Sequence, residues 1–333
     1  MAIKVSQRFI ALVLVVFLWV VVACSPSTTT SPPAVSPEPL RIGSGIWAGN
    51  AGDYVALEKH FFQEEGIKAN DIIFADYSSS MPAFLSHQVD LLWVAGADVI
   101  EMAAQDPSIR VIFLTGYSDG ADGILGRNIN SPKELKGKRI ARENLLSATV
   151  ILNAYLQQGE LTERDLNILD MSGQDAATAF IAGHVDAAIT YVPWLAEATQ
   201  QRSGKVIFTT KGTNLLSDVL VVRQELISSR RSELQAYLQA IDRGVKLVNA
   251  GNAEALKIVA EKLEMSLPEA KQQLSWIKLF DIEGNKTIAF NQAHPNSLIT
   301  NLKFTAQIAY DKKIIAKQLD INSLYDDSVI NSL

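Results

Sequence analysis

The sequence predicts an α/β protein of two lobes built on one plan, with two mixed sheets, flanking helices and a two-strand hinge. Three observations carry this reading. Apolar runs of four to seven residues alternate with helical runs of 8–14 residues, the pattern of βα units around a mostly parallel sheet. The segment Ala83-Phe84-Leu85-Ser86-His87-Gln88-Val89-Asp90 returns 96 residues later as Ala179-Phe180-Ile181-Ala182-Gly183-His184-Val185-Asp186. A chain of 333 residues is also long for one hydrophobic core and comfortable for two.

The elements follow in order. Residues 40–45 form a strand, and 52–65 a helix with Tyr54, Val55, Leu57, Phe61 and Phe62 on one side. A strand at 71–77, a short helix at 81–88, a buried strand at 89–96, a helix at 97–106 and a strand at 110–117 complete the first set. The second set repeats it: strands at 138–141, 165–172 and 185–191 alternate with helices at 147–158, 175–183 and 194–201. Strands at 206–210 and 218–223 follow, then amphipathic helices at 232–250, 253–263, 268–276 and 295–310. The late helices need an apolar surface, so the chain is expected to return to the first lobe. Lobe 1 is then 40–126 with 224–333, lobe 2 is 131–222, and the hinge lies near 127–130 and 222–224.

The amino terminus bears on compartment. Lys4 and Arg8 precede fifteen uncharged residues, Phe9 to Ala23, short for a bilayer span and suited to a signal-peptide core. Val21-Val22-Ala23-Cys24 resembles a bacterial lipobox, with Val21 where Leu is usual. Residues 1–23 are thus expected to be cleaved and Cys24 to carry lipid. An uncleaved anchor is the alternative, and either way the folded part is extracytoplasmic. Residues 24–39, rich in Ser, Thr and Pro, read as a tether.

Composition excludes several classes. A formal charge of −6 argues against a nucleic-acid binder. The single cysteine excludes an intrachain disulfide and a cysteine zinc site. His60, His87, His184 and His294 have no metal-ligand spacing, and no Ser-His-Asp or Walker pattern occurs. The reading is therefore a non-enzyme with no cofactor; an enzyme on the same fold is the minor alternative.

Several features together resemble one family. They are the lipoprotein-like start, Trp47 in a glycine-rich loop after the first strand, and the two Phe-x-x-x-x-Val-Asp turns. Gly120-Ala121-Asp122-Gly123-Ile124, Leu135-Lys136-Gly137-Lys138 and Tyr191-Val192-Pro193-Trp194 complete the set. They resemble the solute-binding proteins of ABC importers, in the nitrate/sulfonate/taurine group, which shares its fold with binding proteins for thiamine pyrimidine precursors. The resemblance spans residues ~40–310. It implies a type II periplasmic-binding-protein fold and a monomer, lipid-anchored in the cell envelope. Its partners would be a small solute and the membrane permease and ATPase subunits. The solute would be nitrate-, sulfonate- or taurine-like; a pyrimidine or another cationic amine is the alternative. A sensor subunit would use the same fold.

Ligands of open α/β sheets bind beyond the C-terminal strand ends. In lobe 1 this selects the loops Ile46–Gly52, with Trp47, Ser78-Ser79-Ser80, and Gly96–Asp98, with Ala97. In lobe 2 it selects Glu143–Thr149, Ser172–Asp175, and Tyr191–Trp194. Trp47 either walls the pocket or packs beneath its loop. The serines either bind an anion at a helix start or cap it, and Ser147 and Thr149 stand at a matching start. Tyr191 and Trp194 suit a closing wall, or core packing. Asp98 and Asp175 read as N-caps. Asp119, Asp122 and Asp218 fall at hinge positions; were two of them to face the pocket, a cation would be favoured. Arg127 and Arg142 are the obvious nearby cations.

Overall fold

Eleven strands among the described residues sort into two sheets. The computed structural model describes residues 38–201 and 204–333, so the expected signal peptide, Cys24 and nearly all of the tether lie outside the described residues. Pro39–Leu333 form one unit.

The first sheet has the order β11-β4-β10-β3-β1-β2. Here β1 is Leu40–Gly45, β2 Ala69–Phe74, β3 Leu91–Ala95, β4 Ile109–Ser118, β10 Ser217–Arg223 and β11 Ile277–Leu279. The second has the order β7-β6-β8-β5-β9, with β5 Asp122–Gly126, β6 Arg139–Arg142, β7 Asn167–Asp170, β8 Ala187–Tyr191 and β9 Lys205–Thr209. In each sheet three strands run parallel, and a fourth enters antiparallel beside them: β10 against β3, and β5 against β8. Both mixed sheets are thus as expected, flanked by helices.

The crossovers lie elsewhere than the sequence suggested. β5 belongs to the second sheet and β10 to the first. The chain therefore changes sheets between Ser118 and Asp122 and between Thr209 and Ser217, not near 127–130 and 222–224. Glycines around Ile124-Leu125 mimic the end of a lobe, but both side chains are fully buried and their strand pairs on both edges. The helix expected at 52–65 is also two pieces, Ala51–Glu58 and Phe61–Glu64, parted at His60 with φ 61°. The late helices are Arg231–Asn249, Ala253–Lys262, Leu267–Leu274 and Leu298–Asp311. The first buries Leu234, Tyr237, Leu238, Ile241 and Val245, the stripe its spacing promised.

The repeated segment is a helix end joined to a strand start. Gln88 N–H bonds Ala83 carbonyl, and His184 N–H bonds Ala179 carbonyl, both at 2.9 Å. Each following Val-Asp locks onto the strand that its own strand will pair with in parallel, β1 or β6. The Asp90 carboxylate accepts Arg41 N–H at 3.0 Å and the Asp186 carboxylate accepts Arg139 N–H at 2.9 Å. These ties bring β3 and β8 into parallel pairing and set their C-terminal ends at the cleft.

Candidate functional site

A cavity of about 400 Å³ opens at these strand ends, between the two sheets. That volume suits a small organic solute. Trp47 follows β1, while Tyr191 ends β8 and Trp194 starts the next helix. The indole of Trp47 meets the Tyr191 ring edge-on, centroids 6.0 Å apart, and Tyr191 meets Trp194 at 4.9 Å. Aromatic residues thus face each other from opposite sheets across one space. Gly49 is what lets Trp47 fold over its own loop: a Cβ there would sit 2.2 Å from the indole nitrogen.

Carboxylates line the same space. Asp218 at the start of β10 accepts the Trp47 Nε1–H at 3.2 Å. Asp122 at the start of β5 and Glu143 after β6 also line it. No Lys, Arg or His does so among the described residues. Burial is the main force on all three acids. It pushes Asp218 up to about 8, helped by the nearby charge of Asp122 and opposed by the Trp47 bond. Asp122 rises to about 6 and Glu143 to about 7. Each carboxylate is costly to ionise in so enclosed a place without a counter-ion.

Six of the expected residues line the cavity: Trp47, Asp122, Ser147, Tyr191, Trp194 and Asp218. The others do not. Ser78 and Ser79 spend their hydroxyls on Asp76, and Ser80 is buried with its hydroxyl donating to Tyr77 carbonyl at 2.7 Å. Ser78 instead edges a second hollow beside Met81 and Glu101. Ala97 packs in the core. Thr149 is buried and accepts Arg142 Nη1–H at 2.7 Å. Asp119 sits at the first crossover, accepts Gly212 N–H at 2.5 Å and pairs with Lys278 at 3.7 Å. The serine helix is also the second of its sheet, whereas Ser147 opens the first of the other, so the two starts are not equivalent.

Neither arginine faces the cavity. Arg142 is held by Glu163 and Thr149, and Arg127 bonds the Phe180 carbonyl. Asp98 does not cap its own helix, Gly96–Gln105, whose N-cap is Ala95. Asp175 is the third residue of Gly173–Ile181, and Ser172 is the cap, accepting Asp175 N–H at 3.1 Å. Asn50 and Gln174, which lie in loops the strand-end rule selects, also line the cavity, as do Phe74, Tyr77 and Trp93, which were not foreseen. The strand-end rule could have found Phe74 and Tyr77. Trp93 sits inside a continuously apolar run that gives no sign of facing a ligand.

The chain belongs to the NMT1/THI5-like family, whose model matches residues 47–255. A Bacillus subtilis protein named for binding aliphatic sulfonates is 24% identical over 284 residues, 83% of this chain and 82% of that protein. Among solved structures, the periplasmic aliphatic sulphonate binding protein SsuA of Escherichia coli superposes with TM-score 0.73 at 19% identity, over 89% of this chain and 100% of that one. The desulfurization enzyme DSZB shares the fold with TM-score 0.65 at 15% identity, over 89% of this chain and 98% of that one. The fold is therefore that of the periplasmic binding proteins, and an enzyme also uses it.

Proposed function

We propose that this member of the family is the extracytoplasmic solute-binding subunit of an ABC importer, and that its solute is a small cationic, planar amine of the aminopyrimidine kind. One observation carries the choice of charge: four carboxylates, Asp122, Glu143, Asp218 and Glu264, and an aromatic cage line a cavity with no basic side chain among its described lining. A protonated ring gains from both. Its charge draws Asp218 and Asp122 into their ionised forms, and its face stacks on Trp47, Tyr191 or Trp194. The two segments where the chain changes sheets, between Ser118 and Asp122 and between Thr209 and Ser217, would serve as the hinge. Lipid on Cys24 would hold the protein at the membrane.

The sulfonate, nitrate or taurine reading draws support from the relatives' names alone. Of the residues expected to hold the anion, Ser78, Ser79 and Ser80 are engaged with Asp76 and Tyr77, Thr149 is buried against Arg142, and Ser147 at the cavity wall gives its N–H to Asp98. A melting-shift series decides between the solutes. An aminopyrimidine cation at 100 times its dissociation constant should stabilise by about 2.7 kcal/mol. A shift with taurine, methanesulfonate or nitrate and none with any cation would reject the reading.

A further inference from the structure

The helix Leu146–Gln157 begins at the cavity wall, where Ser147 and Ala148 line the solute space. Its N-cap residue, Leu145, supplies no side-chain hydrogen bond. The cap comes from the other sheet. Asp98, 1% exposed, accepts Ser147 N–H on Oδ1 at 2.8 Å. Its Oδ2 accepts the Tyr77 hydroxyl at 2.9 Å, and that hydroxyl accepts Ala95 N–H at 2.8 Å. A carboxylate rooted in the first sheet's layer thus stands where an anionic solute would meet the positive end of a twelve-residue helix.

We infer that Asp98 determines the charge selectivity of the cavity: it is a built-in anion that occupies the helix start and denies it to anionic solutes. This rests on the cation reading above. The geometry accounts for two things at once. It spends the positive potential of that helix start, and it adds a further acidic group behind Ser147 and Tyr77, both of which line the cavity. Burial raises Asp98 from the ordinary carboxylate value, while the bonds from Ser147 and Tyr77 pull it back toward ionisation. An anion entering beside Ser147 would meet Asp98 with no cation between them. A cation would meet a field already set in its favour.

The test compares wild type with Asp98→Asn and Asp98→Ala by calorimetric titration with methanesulfonate and with a cationic aminopyrimidine. Circular dichroism and melting establish that each form is folded. In Asp98→Ala the Ser147 N–H is released, so the ratio of aminopyrimidine to methanesulfonate affinity should fall about tenfold or more. Asp98→Asn should fall between, because its amide oxygen still accepts the Ser147 N–H but carries no charge. It decides the matter alone if the alanine variant does not fold. A purely structural role would lower stability and both affinities together, leaving the ratio where it was; an unchanged ratio in the folded variants overturns the inference. Wild type preferring methanesulfonate would reject the cation reading. The role of Asp98 is judged separately, on the change in ratio.

Discussion

In one half of the molecule, Arg223 at the end of β10 lies over the Phe84 ring, 4.6 Å from its centre, and donates to the carbonyls of Phe84 and Val89, both at 3.0 Å. In the other half, Arg127 just past β5 lies 5.1 Å from the Phe180 ring centre and donates to one carbonyl, that of Phe180. The two arginines are 96 residues apart, as are Phe84 and Phe180, Asp90 and Asp186, and Asp122 and Asp218. The fastening of each antiparallel strand to its sheet is therefore repeated, together with the acid that the strand carries into the cleft. What stands at the cleft otherwise differs. Ala95 corresponds to Tyr191 and Asp98 to Trp194 at the same offset. At these two positions one half carries a small residue and a buried carboxylate, and the other carries two aromatic rings. The scaffold repeats while the chemistry divides, and each step of that comparison can be broken.

The largest expected effect is on the fastening. Arg223 is buried and donates to two carbonyls, so Arg223→Ala takes the side-chain donor from Val89 and leaves Phe84 with the His87 N–H, and should cost about 2–3 kcal/mol. Arg127→Ala removes one bond from a carbonyl that keeps the Gly183 N–H, and the Arg127 Nε already lacks a partner among the described residues, so about 1 kcal/mol is expected. Urea unfolding of both variants measures the difference. Equal losses would mean that the ring contact, shared by both, carries the fastening rather than the carbonyl bonds.

The acid pair should be less symmetric in binding than in sequence. Asp218 is oriented by the Trp47 indole, whereas no indole donates to Asp122. Asp218→Asn should weaken aminopyrimidine binding by about 1.5–3 kcal/mol, the worth of a bond to a charged group. Asp122→Asn should weaken it by less. Calorimetry on the two variants checks the order, and a larger loss from Asp122→Asn would show that the indole is not what aims the carboxylate.

The same acids fix a pH dependence. Their folded values, about 8 for Asp218 and about 6 for Asp122, stand above the ordinary 3.8. The folded, empty protein therefore holds protons that the unfolded chain has released. Its stability is fullest below 3.8 as far as these groups are concerned, and this contribution is lost as pH rises toward 8. Cation binding runs the other way, since the solute needs ionised carboxylates. Melting profiles with and without a permanently charged, ring-N-methylated aminopyrimidinium should diverge as pH increases from 6 to 8. Parallel profiles would mean that the acids do not titrate with binding.

The architecture was legible because periodicity and the repeat are local signals. The strand and helix pattern, the late helices and the facing positions of Trp47 and Trp194 follow from them. The crossovers were misread because β5 and β10 are ordinary apolar strands by composition; only pairing reveals which sheet receives them. The serines were attractive for the residue types present at a helix start. Nothing in their sequence shows that Asp76 and Tyr77 claim the hydroxyls first. Asp98 read as a local cap because it begins a helix, while its partner Ser147 lies 49 residues away. Bonds of that span leave no trace in spacing.

The smallest effect tests the repeat at a single pair of dihedral angles. Both helix ends turn through the left-handed region, at His87 with φ 61° and at Gly183 with φ 79°. The turn is the same, with the N–H of each residue bonding the carbonyl three back, Phe84 or Phe180. Glycine accepts this conformation freely, whereas a side chain strains it by about 1–2 kcal/mol. Glycine also frees the unfolded chain, which returns about 0.4–1 kcal/mol of that difference. His87 is exposed, so little packing is lost on replacing it. His87→Gly should therefore stabilise by about 0.5–1 kcal/mol. Gly183→Ala, where no atom lies within 4 Å of the added Cβ, should destabilise by a similar amount through the backbone alone. Thermal unfolding of the two single variants reads both. Opposite signs confirm that the two turns are one device carrying different residues. A loss in His87→Gly would show that the imidazole contributes more than the strain it imposes, and the two turns would then differ in energy as well as in sequence.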